Sequence, residues 1–268
     1  MPIKKFNKKD RHEKILEILA KNGEVEVNEL TELFNMSDMS IRNDLNELDQ
    51  QGKLMRRHGG AYVIESSKTE KPVTVKAKHN FYEKKIIGME AAKLLHDGDS
   101  VMLDAGTTSE HIAPELSNYN YLTIITNGIN IINKLLVYPN FNIYTVEGRI
   151  DSKSFSIIGE QAENTLKKYN AKIAFISADG LDVETGLTNN SHEATNIAKI
   201  ILNNSQIKVL VADSSKFGKV GLFSLAIWED IDILVTDYKI QTEIIESLEK
   251  RNIRVIIAKD KRNFLTDN

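Results

Sequence analysis

The sequence predicts a two-domain chain: an N-terminal winged helix of mixed α+β type and a larger C-terminal α/β domain with a mostly parallel sheet. Three features of its 268 residues lead there. Three short amphipathic helical stretches between residues 10 and 51 run into a basic strand and a Gly59-Gly60 turn, the outline of a helix-turn-helix with a hairpin wing. From residue 101 onward, short β-branched runs alternate with helical stretches, as in a sheet whose parallel strands are joined by crossover helices. Between them, residues 65–71 are polar and aperiodic and close at Pro72. The expected divisions are 1–63, a linker over 64–79, and 80–268.

Composition narrows the classes of function. With 41% hydrophobic residues the chain can bury real cores, and with no cysteine it can form neither disulfides nor a thiolate metal site. No cofactor or metal is expected. The net charge is −3, and residues 1–63 hold 11 basic and 11 acidic side chains, so only the arrangement of charge can point to an anionic partner. No apolar run approaches the roughly 18 residues of a membrane span, and Lys4, Lys5, Lys8 and Lys9 precede no apolar signal core. A soluble, cytoplasmic protein without a membrane partner is expected.

In the first domain, Asp10 with Glu13 offers a capping box for a helix that places Ile15, Ile18 and Leu19 on one face and stops near Asn22-Gly23. A second helix from Asn28 turns Leu30, Leu33 and Phe34 inward and breaks at Asn35-Met36. Ser37 caps a third, whose Ile41, Leu45 and Leu48 face the core. Its outer side then carries Met39, Ser40, Arg42, Asn43, Asn46 and Gln50. Gly52 ends it, and Lys53 to His58 form a basic strand that turns at Gly59-Gly60 and returns through Ala61-Tyr62-Val63. A polar helix face can read base edges in a major groove while Arg56, Arg57 and His58 neutralise phosphates beside it. Periodicity alone leaves open a helical protein–protein module with a solvated charged face.

Residues 11–63 as a whole closely resemble the N-terminal domain of the DeoR family of bacterial transcription regulators, through the serine-capped third helix and the wing that ends His58-Gly59-Gly60-Ala61. The resemblance implies binding to double-stranded operator DNA. The residues assigned to that contact are Ser37, Met39, Ser40, Arg42, Asn43, Asn46, Lys53, Arg56, Arg57, His58 and Gly59. One departure is informative: the family usually reads Thr-Ile-Arg-Arg-Asp-Leu where this chain has Ser40-Ile41-Arg42-Asn43-Asp44-Leu45.

In the second domain, Asn80 with Glu83 suggests a capped helix burying Ile86, Ile87, Met89, Leu94 and Leu95, and Asp97-Gly98-Asp99 turns into the strand ending at Leu103. Further strands are expected over 122–126, 142–146, 173–177, 208–212, 231–236 and 254–258, with helices over 129–136, 192–202 and 241–249. Ligands of such sheets sit beyond the carboxyl ends of strands. Polar groups collect there: 104–108, Thr126-Asn127-Gly128, Glu147-Gly148-Arg149, Ala178-Asp179-Gly180 and 213–216. Asp104-Ala105-Gly106-Thr107-Thr108 has the make-up of a turn whose amides and hydroxyls face one phosphate-sized anion, and Lys216 is the least turn-like residue of the set. Turn chemistry alone also favours Gly, Asn, Asp and Thr at such positions.

The DeoR resemblance continues through these motifs and through Gly186-Leu187-Thr188, Glu193-Ala194 and Asp213-Ser214-Ser215-Lys216. It implies a sensor domain of the ribose-5-phosphate isomerase-like fold that binds a phosphorylated sugar effector. Gly106, Thr107 and Thr108 would cradle the phosphate, Asp104, Asn127, Asp179 and Glu193 would face hydroxyls, and Lys216 would close the site; Thr126, Gly148, Arg149 and Gly180 complete the assigned residues. Three positions depart from the family: Glu147 for a second glycine, Ser177 for a glycine, and Pro114, which should kink or end the helix after the phosphate loop. Glu147 is expected to alter which sugar fits or to disfavour a second phosphate. The implied protein is a homo-oligomeric repressor of a sugar-metabolism operon and not an enzyme; the alternative is an isomerase-like enzyme with an appended DNA-binding domain. Because asparagine pairs with adenine where arginine favours guanine, Asn43→Arg is expected to move the preferred operator base at one position per half-site from adenine toward guanine. Affinities for operators permuted at that position test this, and equal losses at that position and at its neighbours would rule it out.

Overall fold

A computed structural model describes residues 6–51, 53–57, 59–63, 73–260 and 262. The chain separates into two compact units, Met1–Ser66 and Ser67–Asn268. Among the described residues, no helix is long and apolar enough to cross a membrane.

The smaller unit opens with α1 (Lys8–Asn22). Its cap is Asn7, whose side chain accepts from the Asp10 amide at 2.9 Å. The helix therefore starts earlier than the Asp10 capping box predicts, because an extended Asn ahead of it caps equally well. Gly23 ends it and leads into β1 (Glu24–Glu26), a strand too short to register in the sequence. Helix α2 (Val27–Phe34) buries Val27, Leu30 and Phe34. Leu33, expected inward, is exposed, since it lies about 90° around the helix from that stripe. Helix α3 (Asp38–Gln50) is capped by Ser37 and buries Ile41, Leu45 and Leu48 completely. Strands β2 (Leu54–Arg57) and β3 (Gly60–Val63) form the hairpin, and β3 also pairs antiparallel with β1. Gly60 is required there, because a β-carbon would run into the Val25 carbonyl.

The larger unit begins inside the segment expected to be linker. Residues 73–78 form α4 (Val73–Lys78), followed by α5 (Phe81–Ala92); residues 64–72 lie outside those described. Asn80 does not cap α5 through its side chain, which donates instead to Asp213 and Ser215. The remaining elements are β4 (Ser100–Leu103), β5 (Thr123–Thr126), α6 (Ile129–Leu135), β6 (Asn142–Tyr144), β7 (Arg149–Asp151), β8 (Ser156–Ile158), α7 (Glu160–Leu166), β9 (Ala171–Ile176), β10 (Gly180–Asp182), β11 (Gly186–Asn189), α8 (His192–Asn203), β12 (Ser205–Val211), β13 (Phe223–Ala226), β14 (Ile233–Asp237), α9 (Thr242–Glu249) and β15 (Arg254–Ala258). The helix expected after the phosphate loop is instead two 3₁₀ stretches, Ser109–His111 and Ala113–Asn118, the second holding Pro114 in its first turn.

Seven strands form one parallel sheet in the order β15-β14-β12-β9-β4-β5-β6. Met102, Ala174, Ile176, Leu210 and Leu234 pack on one face with α7, α8 and α9; Val101, Leu103, Ile173, Phe175, Val209 and Val235 pack on the other with α5 and α6. Both faces being buried explains why these strands read as continuous apolar runs. Two antiparallel pieces, β10-β11-β13 and the β7-β8 hairpin, were not anticipated; strands of three or four residues carry too little pattern.

One buried ion pair holds the smaller unit together. Arg11 of α1 donates Nε and Nη2 to Asp44 of α3 at 2.5 and 2.9 Å, and His12 Nε2 lies 3.1 Å from the same carboxylate. Burial opposes the Asp44 charge, but the hydrogen bonds from Arg11 and His12 hold its carboxyl below the usual range. This contribution is present above the unfolded carboxyl pKa and is lost as pH falls through the depressed folded value. Asp44→Ala leaves a guanidinium buried without its partner and is expected to cost about 3–5 kcal/mol, seen as a lowered midpoint for thermal unfolding of this unit at neutral pH.

Candidate functional site

In the smaller unit, the outer side of α3 presents Met39, 69% exposed, together with exposed Asn43 and Asn46. Ser37 is occupied as the cap, its Oγ accepting from the Ser40 amide and lying 3.0 Å from the Ser40 hydroxyl. Arg42 pairs with Asp38 one turn earlier at 3.0 Å, an exposed contact of small energetic weight that a phosphate can displace. Arg56 is engaged within the unit. Its Nε donates to Asn46 at 2.9 Å, its Nη1 to the Gly60 carbonyl at 2.7 Å, and its amide to Asp49 at 3.1 Å. It therefore ties the hairpin to α3. Lys53 is exposed, and Gly59 makes the turn with φ +82°. The Arg57 side chain and His58 lie outside the described residues.

In the larger unit, strand order reverses next to β4: β5 and β6 run out to one side, and the chain returns to place β9 on the other. The carboxyl ends of β4 and β9 flank the crevice left by that reversal, the place where open parallel sheets bind ligands. A pocket opens there. It is lined by Val73, Lys76, Asp104, Ala105, Gly106, Thr107, Thr108, Asn127, Ser154, Ser156, Ser177, Ala178, Asp179, Asn189, Ala194 and Lys216.

The loop after β4 packs closely against the end of β9. The Asp104 amide donates to the Phe175 carbonyl at 3.0 Å, and a β-carbon on Gly106 would collide with the Ser177 hydroxyl. Thr107 and Thr108 are buried, and among the described residues their amides find no backbone acceptor. The Ser109 hydroxyl beneath them has no partner either. The two threonine amides, whose residues line the pocket, can be satisfied by oxygens of an anion.

Charge in and behind the pocket comes in near balance. Lys76 Nζ reaches Asp179 at 2.8 Å. Burial opposes the Asp179 charge, yet Lys76 and Lys216 hold its carboxyl below the usual range. Burial pulls the Lys216 ammonium down, with Asp179 and Asp213 resisting. Asp213 is fully buried, its Oδ1 accepting from Asn80 at 2.7 Å and from the Ser215 hydroxyl at 2.5 Å. Lys84, 2% exposed, donates to the carbonyls of Lys76 and His79 at the end of α4, and burial brings its ammonium down to about 8. Burial likewise pushes the Asp104 carboxyl up to about 6, against donation from the Ser177 and Ala105 amides. Such an array can bind a compact anion and neutral hydroxyl groups together.

Of the residues assigned from the sequence, Asp104, Gly106, Thr107, Thr108, Asn127, Asp179 and Lys216 line this pocket. The others do not. Thr126 is fully buried, its Oγ1 donating to the Leu103 carbonyl and accepting from the Gly128 amide, so it joins the ends of β4 and β5. Arg149 and Glu193 close on each other at 2.9 Å on the surface. Gly148 and Gly180 pack against the carbonyls of Ile158 and Lys219. Glu147 is exposed and is not among the residues that line the pocket. Lys76, Ser154, Ser156 and Asn189 also line the pocket and carry no signal in the sequence pattern, and Ser177 lines it as well.

The family model described as a DeoR-like helix-turn-helix domain matches residues 11–67, and that described as the DeoR C-terminal sensor domain matches residues 79–238. The lactose phosphotransferase system repressor of Staphylococcus epidermidis is 34% identical over 236 residues, covering 87% of this chain and 93% of the relative. The glycerol-3-phosphate regulon repressor of Escherichia coli K12 is 30% identical over 245 residues, covering 91% of this chain and 97% of the relative. Among solved structures, ribose 5-phosphate isomerase A from Methanocaldococcus jannaschii overlaps 52% of this chain and 56% of its own, at 23% identity and a TM-score of 0.39.

The environment of Asp104 has a measurable consequence. A carboxyl pushed up to about 6 takes up a proton in the folded state that the unfolded chain lacks between pH 4 and 6, so its contribution to stability falls as pH rises through that window. Asp104→Asn removes this slope. In urea unfolding of the larger unit, the variant's stability relative to the native protein is expected to be greater at pH 7.5 than at pH 4.5, by on the order of 1 kcal/mol. Parallel pH curves would show that Asp104 is not the buried titrating group.

Proposed function

Because the chain belongs to the DeoR family of transcription regulators, we propose that it is an operator-binding repressor of a sugar-metabolism operon whose DNA affinity is set by a phosphorylated sugar. The observation that carries the effector half is the pocket at the strand reversal, which Lys76 and Lys216 line together with buried Thr107 and Thr108, and no described residue uses the threonine amides. The ring of Asp104, Asp179, Asn127 and Asn189 offers partners for hydroxyl groups. The names of the two relatives above, one a glycerol-3-phosphate regulon repressor and one a lactose phosphotransferase system repressor, support the sign of regulation and the link to carbohydrate metabolism.

In this reading α3 enters the major groove with Asn43 among its reading residues, and Lys53 with the rest of the wing meets phosphates. Two copies bind the halves of a pseudo-palindromic operator. The pocket acts as a sensor, not a catalytic centre. Asp179 is held by Lys76, and a bound phosphosugar alters the balance among the groups that hold α4, the first described element after the connection between the units. To switch transcription the effector must favour one conformation over the other; couplings of about 1–3 kcal/mol change operator affinity roughly 5–150-fold.

The test is operator binding followed by fluorescence at fixed salt, with and without a panel of phosphosugars and their unphosphorylated parents. One phosphosugar is expected to weaken operator binding while its parent does not. Thr107→Ala is expected to raise the phosphosugar concentration needed by about tenfold. Lys53→Ala is expected to weaken operator binding and lower its salt dependence by about one counterion. If both variants, folded, lost both responses together, the division between reader and sensor would be wrong.

A further inference from the structure

One wall of the pocket carries no lysine among the residues that line it. It is formed by the turn after β5 and by the β7-β8 hairpin, and two hydrogen-bond acceptors meet there. Asn127 is 2% exposed, and its Nδ2 donates to the Ile157 carbonyl at 3.2 Å. That carbonyl determines which way the amide faces, because the reversed orientation would set two oxygens against each other. Oδ1 of Asn127 is then buried with no partner among the described residues.

Ser156 stands beside it, paired through a β-bridge with Gly128, the residue after Asn127, and is 3% exposed. Its hydroxyl lies 2.7 Å from the Ser154 hydroxyl, and the latter lies 2.5 Å from Asp151 Oδ2. A carboxylate only accepts, so the single hydroxyl proton of Ser154 is committed to Asp151. Ser154 must therefore accept from Ser156, and the Ser156 proton is spent in turn. Burial opposes the charge on Asp151, but donation from the Ser154 hydroxyl and amide holds its carboxyl below the usual range, so the direction of this chain is stable at neutral pH. Ser156 turns only lone pairs toward the pocket.

We propose that Asn127 and Ser156 form an acceptor subsite that reads a donor hydroxyl of the ligand and so restricts the pocket to polyhydroxylated monophosphates. This rests on the reading of the pocket as a phosphosugar site and names the class that fits. A ligand hydroxyl gives the buried Asn127 oxygen the partner it lacks. A second phosphate, a carboxylate or a keto oxygen at this corner meets two acceptors beside the Asp151 charge, and neither Asn127 nor Ser156 has a side-chain proton left to offset the loss of its hydration.

Calorimetric titration of the full-length protein separates the outcomes. The probes are inorganic phosphate, polyol and sugar monophosphates of three to six carbons, and the corresponding bisphosphates. At least one monophosphate is expected to bind more tightly than inorganic phosphate, and every bisphosphate more weakly than its monophosphate. Ser156→Ala and Ser154→Ala are each expected to reduce the best monophosphate's advantage over inorganic phosphate about tenfold. Ser154→Ala, which returns a proton to Ser156, is also expected to narrow the gap between monophosphate and bisphosphate. A native preference for a bisphosphate, or ratios unmoved in both serine variants, would remove the subsite and leave the phosphosugar reading standing. If the native protein bound neither inorganic phosphate nor any monophosphate, both would fall.

Discussion

The pairing of β4 with β9 organises the larger unit. These strands lie side by side although β5, β6 and the β7-β8 hairpin come between them in sequence, so the direction of strand addition reverses at this pair. Helices can cover both faces of the sheet everywhere except beyond the carboxyl ends at the reversal, where the loops diverge. The Asp104 amide bonds to the Phe175 carbonyl across that gap, and Gly106 has no side chain because Ser177 occupies the space. The pocket is a consequence of topology before it is a matter of side chains.

Chemistry is then added from distant parts of the chain. Asp104, Asp179 and Asp213 bring three carboxyl groups, and Lys76, Lys84 and Lys216 bring three ammonium groups; Asp213 and Lys84 are buried and the other four are partly exposed. Buried charges persist when they are paired and hydrogen-bonded. The array is balanced without a ligand, and an entering anion must upset that balance. The side chains and carbonyls of α4 take part directly: its first amide donates to the Lys153 carbonyl, its Lys76 pairs with Asp179, and its last turn is held by Lys84. The proposed switch needs such an element, one that touches the pocket and is the first described element after residues 64–72.

The smaller unit uses polar contacts differently. Arg11 and Asp44 fasten α1 to α3 from inside, while Arg56 fastens the hairpin to α3 through Asn46 and Gly60. Basic residues in such a unit invite assignment to phosphate contacts, yet a guanidinium can equally serve as a clamp. Here the clamp orients the helix face on which Asn43 and Met39 stand exposed.

Much of this was legible in the sequence because it depends on local pattern. The recognition helix, with Ser37 as its cap and Ile41, Leu45 and Leu48 as its stripe, needs only neighbours within three turns. The 104–108 loop was legible because an apolar strand ending in Asp, Gly and Thr allows few other conformations, and Lys216 because it is a poor turn residue among good ones. Lys76 was not legible, since α4 has six residues and its partner Asp179 lies 103 positions away. Thr126, Arg149 and Glu193 lie off the pocket lining, since a strand end looks alike in sequence whether its side chain faces the pocket, the sheet or the surface. The sequence by itself determined most of the segments that become strands and helices and pointed to one loop as the candidate anion site, because periodicity and capping act over a few residues. Only the tertiary structure decided which strands become neighbours and which hydroxyls, amides and ammonium groups face one another, because those choices rest on contacts between distant segments.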